Sequence, residues 1–186
     1  RHILVNTRFD TDILFTRGPL DVLDHSSDWF SYGGKAGIDA TEKLHEEIAV
    51  KDTYALTGQL QAACELSSKL NVPFIKGFST DLIDQGMGIL IIKINPSEDP
   101  DSILKVRDLL ASKEFKPVFR LVLAVDHTVD ADDLFTVTWQ VFSNSDPVRD
   151  HFNIIPDLLL IDGTIKCFRR EKFPRRWPNV VCSDDT

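Results

Sequence analysis

Five titratable side chains crowd one turn: Asp126, His127, Asp130, Asp132 and Asp133. They follow an apolar run that ends at Val125, and ligands usually bind at such strand ends. Hard cations take carboxylates of this kind, so a magnesium site for phosphoryl chemistry is one reading. Asp130 and Asp133 are also placed to cap a following helix, and capping is the stronger reading. Thr128 stands where an aspartyl-phosphate DxD pattern has its second Asp. Gly33-Gly34-Lys35 could turn backbone N–H groups toward a phosphate, but the Walker spacing is absent and a flexible loop is favoured. His25 beside Asp24 could act as a general base, although no nucleophile accompanies it. His45-Glu46-Glu47 opens like a zincin helix and lacks the second His. Cys64, Cys167 and Cys182 are odd in number and form no CxxC. Reduced thiols fit that pattern better than a disulfide framework or a zinc site.

These residues need elements to position them. Asp12 to Phe15 reads as a short strand, with a turn at Gly18-Pro19. Residues 24 to 37 read as loop, because three serines and three glycines hold regular structure poorly. Leu44 to Asp52 is charged and reads as an exposed connection. Leu56, Leu60, Ala63, Leu66 and Leu70 fall at helical spacing, which predicts a helix over 53–70 that packs on a sheet. Met87 to Ile94 and Phe119 to Val125 are continuous apolar runs, the mark of buried strands. Ser97 to Ser112 reads as a helix with Ser97 to Pro100 in its first turn. Asp130 is placed to cap a helix from Ala131 to Phe142, with Phe135, Trp139 and Phe142 on one face. Phe152 to Ile155 and Leu158 to Ile161 read as short strands. The expected fold is mixed α/β (α+β), a helix-flanked mixed sheet of about four to six strands.

Composition narrows the function. The 186 residues are 42% hydrophobic and 27% charged, so a folded core is expected. Lys plus Arg is 21 against Asp plus Glu 29, and the net charge of -8 weighs against nucleic acid as a partner. No apolar run reaches the ~18 residues that would span a bilayer. A local basic patch of Arg169, Arg170, Lys172, Arg175 and Arg176 lies beside Phe173 and Trp177. It suits either an acidic partner surface or a solvated tail. The chain begins Arg1-His2-Ile3 and its single Met is Met87, so it is expected to derive from something longer.

A repeat organises the chain. Ile38-Asp39-Ala40-Thr41-Glu42-Lys43 and Ile161-Asp162-Gly163-Thr164-Ile165-Lys166 agree at four of six positions. Upstream of them, Asn6 to Asp12 and Asn144 to Asp150 share a spacing. The expected division is a tail of one repeat copy with a Gly/Ser-rich loop over 1–50, a connecting helix over 51–72, and a complete copy over 73–186.

The second copy resembles the C-terminal domain of the UbiD-type decarboxylases, the 3-octaprenyl-4-hydroxybenzoate carboxy-lyases and their menaquinone-pathway relatives. The resemblance rests on Arg120-Leu121-Val122-Leu123-Ala124-Val125-Asp126, Val129-Asp130-Ala131-Asp132-Asp133, Val137-Thr138-Trp139 and Ser145-Asp146-Pro147-Val148-Arg149-Asp150. The first copy carries Gly33-Gly34-Lys35-Ala36-Gly37-Ile38-Asp39-Ala40-Thr41, similar to the family's terminal signature, preceded by Leu20 to His25. The resemblance implies an assembly and active-site-closing domain of a cytoplasmic carboxy-lyase in ubiquinone or menaquinone biosynthesis. It implies prenylated FMN with a divalent metal and potassium in the parent enzyme, and none of these on this chain. It implies an upstream flavin-binding domain as partner, a homo-oligomer, and no catalytic or metal-binding residue here. Lys113 is the nearest equivalent of a flavin-phosphate contact, with Lys116 competing, and Lys35 is a second candidate. The alternatives from other classes are a stand-alone interaction module and a magnesium-dependent enzyme using the 126–133 turn.

Overall fold

A computed structural model describes residues 2–44, 67–112, 119–155, 158–166 and 173–178. Lys113, Lys116, the three cysteines, His45-Glu46-Glu47, Arg169, Arg170, Lys172 and most of the predicted helix at 53–70 lie outside them.

The elements are α1 (His2–Asn6), β1 (Ile13–Pro19), β2 (Tyr32–Ile38), β3 (Ile75–Ser79), α2 (Asp81–Asp84), β4 (Ile89–Ile94), α3 (Ser102–Ala111), β5 (Leu121–Asp126), α4 (Leu134–Asn144), β6 (His151–Ile155) and β7 (Leu158–Asp162). Five strands form one sheet in the order β3-β4-β5-β7-β6. The inner pairs β4–β5 and β5–β7 are parallel, and the outer pairs are antiparallel. The mixed, helix-flanked sheet is the fold class expected from the apolar runs.

β4 and β5 carry apolar side chains on both faces because helices cover both. Ile103, Val106 and Leu110 of α3 pack with Leu90, Ile92, Val122 and Leu160. Val137 and Val141 of α4 pack on the opposite face with Ile91 and Val125. Leu70 joins the α3 side, and residues 67–70 are helical. Phe135, Trp139 and Phe142 turn outward, 81%, 51% and 80% exposed.

Three local expectations are corrected. The helix expected from Ser97 begins at Ser102. Asn95 accepts from the Ser97 N–H and hydroxyl, and Asp99 accepts from the Asp101 N–H. These short polar side chains build turns that compete with the helix. The second helix begins at Leu134 rather than Ala131, and Asp133, not Asp130, is its N-cap. Asp133 accepts from the N–H groups of Phe135 and Thr136, while Asp130 accepts from the Asp132 N–H. Asp133→Ala is expected to lower stability by about 1 kcal/mol, read from the urea midpoint, while Asp130→Ala changes it by less.

The third correction concerns the glycine-rich segment. Gly18-Pro19 is not a turn, and residues 32–38 are not loop. They form an antiparallel hairpin pairing Ile13 with Ile38 through to Pro19 with Tyr32. Pro19 sits at the end of a strand where its missing N–H is tolerated. The segment leading into the hairpin leans on the main sheet through Leu4, Phe9 and Ile13, which meet Leu121 and Leu159. Arg120 reaches back from the start of β5, donates to the Thr7 carbonyl at 2.8 Å and lies over the Phe9 ring.

Candidate functional site

The repeated hexapeptides fold alike. In the first, Asp39 Oδ1 accepts from the Thr41 N–H at 3.0 Å and its hydroxyl at 2.6 Å. In the second, Asp162 Oδ1 accepts from the Thr164 N–H at 2.9 Å and its hydroxyl at 2.6 Å. Each turn draws its lysine back: Lys43 donates to the Asp39 carbonyl, and Lys166 to the Asp162 carbonyl. The upstream segments match as well. Asp12 Oδ2 accepts from the Arg8 N–H at 2.8 Å, and Asp150 Oδ2 from the Asp146 N–H at 2.8 Å. Asp39 N donates to the Asp12 carbonyl, and Asp162 N to the Asp150 carbonyl, both at 2.9 Å. Lys43 lies 3.4 Å from Asp12, and Lys166 lies 3.7 Å from Asp150.

The second turn is the centre of a buried ionic knot. Lys166 is 1% exposed, and Asp150 and Asp162 are fully buried. Burial disfavours the charged ammonium and pushes Lys166 down to about 8. Asp150 also pairs with Arg149, whose other arm reaches Asp28 of the first copy at 2.6 Å. The neighbouring Asp146 accepts from the Gly34 N–H at 2.7 Å. A Cβ on Gly33 would lie 2.9 Å from the Asp146 carboxylate, and one on Gly34 would lie 2.7 Å from Val148 N. The glycine pair therefore admits a carboxylate from the second copy. It is not a free cradle for phosphate.

His151 continues the contact. Its ring lies 5.5 Å from that of Phe15, and its Nδ1 lies 2.9 Å from the Pro147 carbonyl. Burial holds this imidazole below its usual 6.5. Below about pH 6.5 the unfolded chain takes up a proton that the folded ring resists, so stability falls as pH drops. His151→Gln is expected to flatten this acid limb of the urea midpoint against pH. An unchanged difference between the two proteins from pH 7.5 to 5 would contradict it.

At the C-terminal end of β5 a cleft of about 330 Å³ opens between α4 and Trp177. Its floor is Asp126, whose Oδ2 accepts from Gln140 at 2.5 Å and from the Ile165 N–H at 3.0 Å. Burial pushes this carboxyl up. His25 and Trp139 line the mouth, with the His25 ring edge-on to Trp177 at 5.5 Å. The cleft could seat a flat apolar group beside a carboxyl that titrates above the usual range. Asp130 and Asp133, by contrast, accept from nearby backbone N–H groups in separate turns. Among the described residues no three His, Cys, Asp or Glu gather closely enough to hold a metal ion.

The other candidates fall as follows. Lys35 is exposed on β2, and its side chain runs beside Gly18. Asp24 accepts from Ser26. Arg175 of the basic patch donates to the Asp24, Ser27 and Trp29 carbonyls, so it binds the first copy. Lys166, Asp28 and Gln140 were not anticipated as site residues. Lys166 did carry a signal, being the last residue of the repeated hexapeptide.

Residues 1–40 match the family described as the 3-octaprenyl-4-hydroxybenzoate carboxy-lyase C-terminal domain. An uncharacterised protein of Helicobacter pylori is 28% identical over 173 residues, covering 91% of this chain and 26% of that protein. The chain thus spans about a quarter of the length of the curated relatives it matches. The vanillic acid decarboxylase of Sedimentibacter hydroxybenzoicus in open form shares the fold with a TM-score of 0.50. It is 19% identical, over 64% of this chain and 29% of that one. The UbiD-class enzyme HmfF of Pelotomaculum thermopropionicum, in an evolved dimeric form with prFMN, is 18% identical. That similarity covers 83% of this chain and 40% of the enzyme, with a TM-score of 0.44. Residues 1–40 thus resemble that family's C-terminal domain, and the chain shares an α/β fold with a solved decarboxylase.

Proposed function

We propose that this chain serves assembly and active-site closure in a prenylated-FMN-dependent carboxy-lyase of ubiquinone or menaquinone biosynthesis. The observation that supports this reading is the knot around Asp150. Arg149, Asp146 and Arg175 carry one repeat copy onto the other. Charged groups that in an active site would face substrate face each other here. In this reading an upstream flavin-binding domain supplies the chemistry, and the enzyme works in the cytoplasm as a homo-oligomer. The exposed aromatic row on α4 is a surface such an oligomer could cover. Among the described residues no helix is long and apolar enough to cross a membrane.

A flavin phosphate needs open N–H groups or a shielded cation, and a metal needs converging carboxylates. Gly34 already donates to Asp146, Lys35 stands on the surface, and the Asp126 to Asp133 carboxylates are dispersed. These residues do not fit the flavin phosphate or its divalent metal and potassium, and Lys113 remains a proposal outside the described residues. No step on this chain runs through the cofactor. The test is to mix the purified chain with prenylated FMN and aromatic acids. The expected result is no stoichiometric flavin absorbance after desalting and no carbon dioxide release. Bound flavin at one equivalent, or turnover, would overturn the reading.

A further inference from the structure

The cleft at the end of β5 plays no part in holding the two copies together. Its parts come from distant stretches of the chain. β5 supplies Asp126, α4 supplies Trp139 and Gln140, and residues 173–178 supply Trp177. That last segment is pinned. Arg175 donates to the Asp24, Ser27 and Trp29 carbonyls, and Phe173 lies beneath Arg149. Phe173 in turn meets the Trp177 ring edge-on at 4.9 Å. Trp177 is therefore a fixed wall of the cleft.

Asp126 is 6% exposed, yet only one of its oxygens is satisfied. Oδ2 accepts from Gln140 and from the Ile165 N–H. Oδ1 accepts from no described residue and is not sealed in, because the cleft opens onto it. Lys166 acts on this carboxyl through space but is itself held by Asp162 and Asp150. Among the described residues no Lys or Arg lines the cleft, and Asp130 adds a second carboxylate. A half-partnered buried carboxylate favours an N–H donor that carries positive charge. An aromatic acid would set its own carboxylate against two others. A metal ion lacks a third ligand among the described residues. A quaternary ammonium has no proton for Oδ1, and a primary ammonium is compact and strongly hydrated. A guanidinium supplies forked N–H donors for a carboxylate and a flat face that stacks on indole. A volume of about 330 Å³ is that of a small-ligand site. We propose that this cleft takes a guanidinium group, paired with Asp126 Oδ1 and stacked against Trp139 and Trp177. The group belongs to a free alkyl guanidine or to an arginine side chain. The inference is independent of the decarboxylase reading.

The test follows the indole N–H signals of the whole chain by NMR as N-acetyl-arginine amide is added. Trp29 lies outside the cleft and serves as the internal control. The expected result is saturable shifts at Trp139 and Trp177, with a Kd of about 1 mM or tighter, and none at Trp29. N-acetyl-citrulline amide has the same shape without the charge and should bind at least about tenfold more weakly. Asp126→Asn keeps an acceptor for Gln140 and the Ile165 N–H and should also lose about tenfold. Should that variant fail to fold, the citrulline comparison tests the same charge on the parent chain. Trp139→Ala changes a half-exposed residue and should cost about threefold, read at Trp177. Phe135→Ala, on the same helix but outside the cleft, should leave affinity unchanged. Agmatine divides the sources: tighter binding than N-acetyl-arginine amide supports a free guanidine, and weaker binding supports an arginine side chain. No saturable shift, equal shifts at Trp29, or equal binding of the citrulline compound overturns the site. Equal binding of N-acetyl-lysine amide overturns the guanidinium.

Discussion

Asp150→Asn is expected to destabilise the chain by about 3–5 kcal/mol, the usual cost of breaking a buried ion pair on one side. Asp150 is fully buried, receives the Asp146 N–H, and faces both Arg149 and Lys166. The amide keeps the shape and removes the charge. Lys166, itself 1% exposed, then keeps only Asp162 at 3.2 Å as a counter-charge and cannot reach water. A fall in urea midpoint at constant slope reads the effect as lost stability. Adding Lys166→Met should restore part of it, because the stranded cation is then gone. A single variant within 1 kcal/mol of the parent would show that Asp162, 3.2 Å from Lys166, balances the ammonium on its own.

Gly34→Ala is the second large effect, an expected loss of about 1–3 kcal/mol from overpacking. The new methyl would meet the Asp146 carboxylate and the Val148 backbone nitrogen. Neither can retreat freely, since Asp146 Oδ1 also accepts from the Val148 and Arg149 N–H groups. Gly37→Ala is the matched control, because nothing lies within 4 Å of a Cβ there. Equal losses for the two variants would mean that backbone freedom, rather than the Asp146 contact, decides the cost. Proteolysis of the hairpin should accelerate in Gly34→Ala alone.

The central sheet was legible because continuous apolar runs such as Ile89 to Ile94 have few other places to go. The repeat was legible because its turns depend on short-range hydrogen bonds from Asp and Thr, which the sequence shows directly. The hairpin strand at 32–38 was not. Its glycines are poor strand formers, and their placement answers a carboxylate 112 positions away in the chain. Helix starts were misplaced by three to five residues wherever several Asp, Asn or Ser side chains competed for the same N–H groups. Nothing in the sequence marks Lys166 for burial, because lysine almost always lies at the surface. Its burial follows from how the second copy folds over it.

The paired turns contain a comparison that few proteins offer. The same Asp-x-Thr-x-Lys motif sits once at a wet edge and once in a dry interior. Asp39 keeps 55% of its side chain in solvent and Lys43 keeps 13%, against 0% and 1% for Asp162 and Lys166. Their lysines move in opposite directions. Hydrogen bonding to Asp39 raises Lys43, whereas dehydration lowers Lys166. The backbone turn is shared but the surroundings are not, since Lys166 also feels Asp150, Arg149 and Asp126. Counter-ions can screen the first pair and cannot reach the second. Raising ionic strength therefore loosens one end of this molecule while leaving its twin closed.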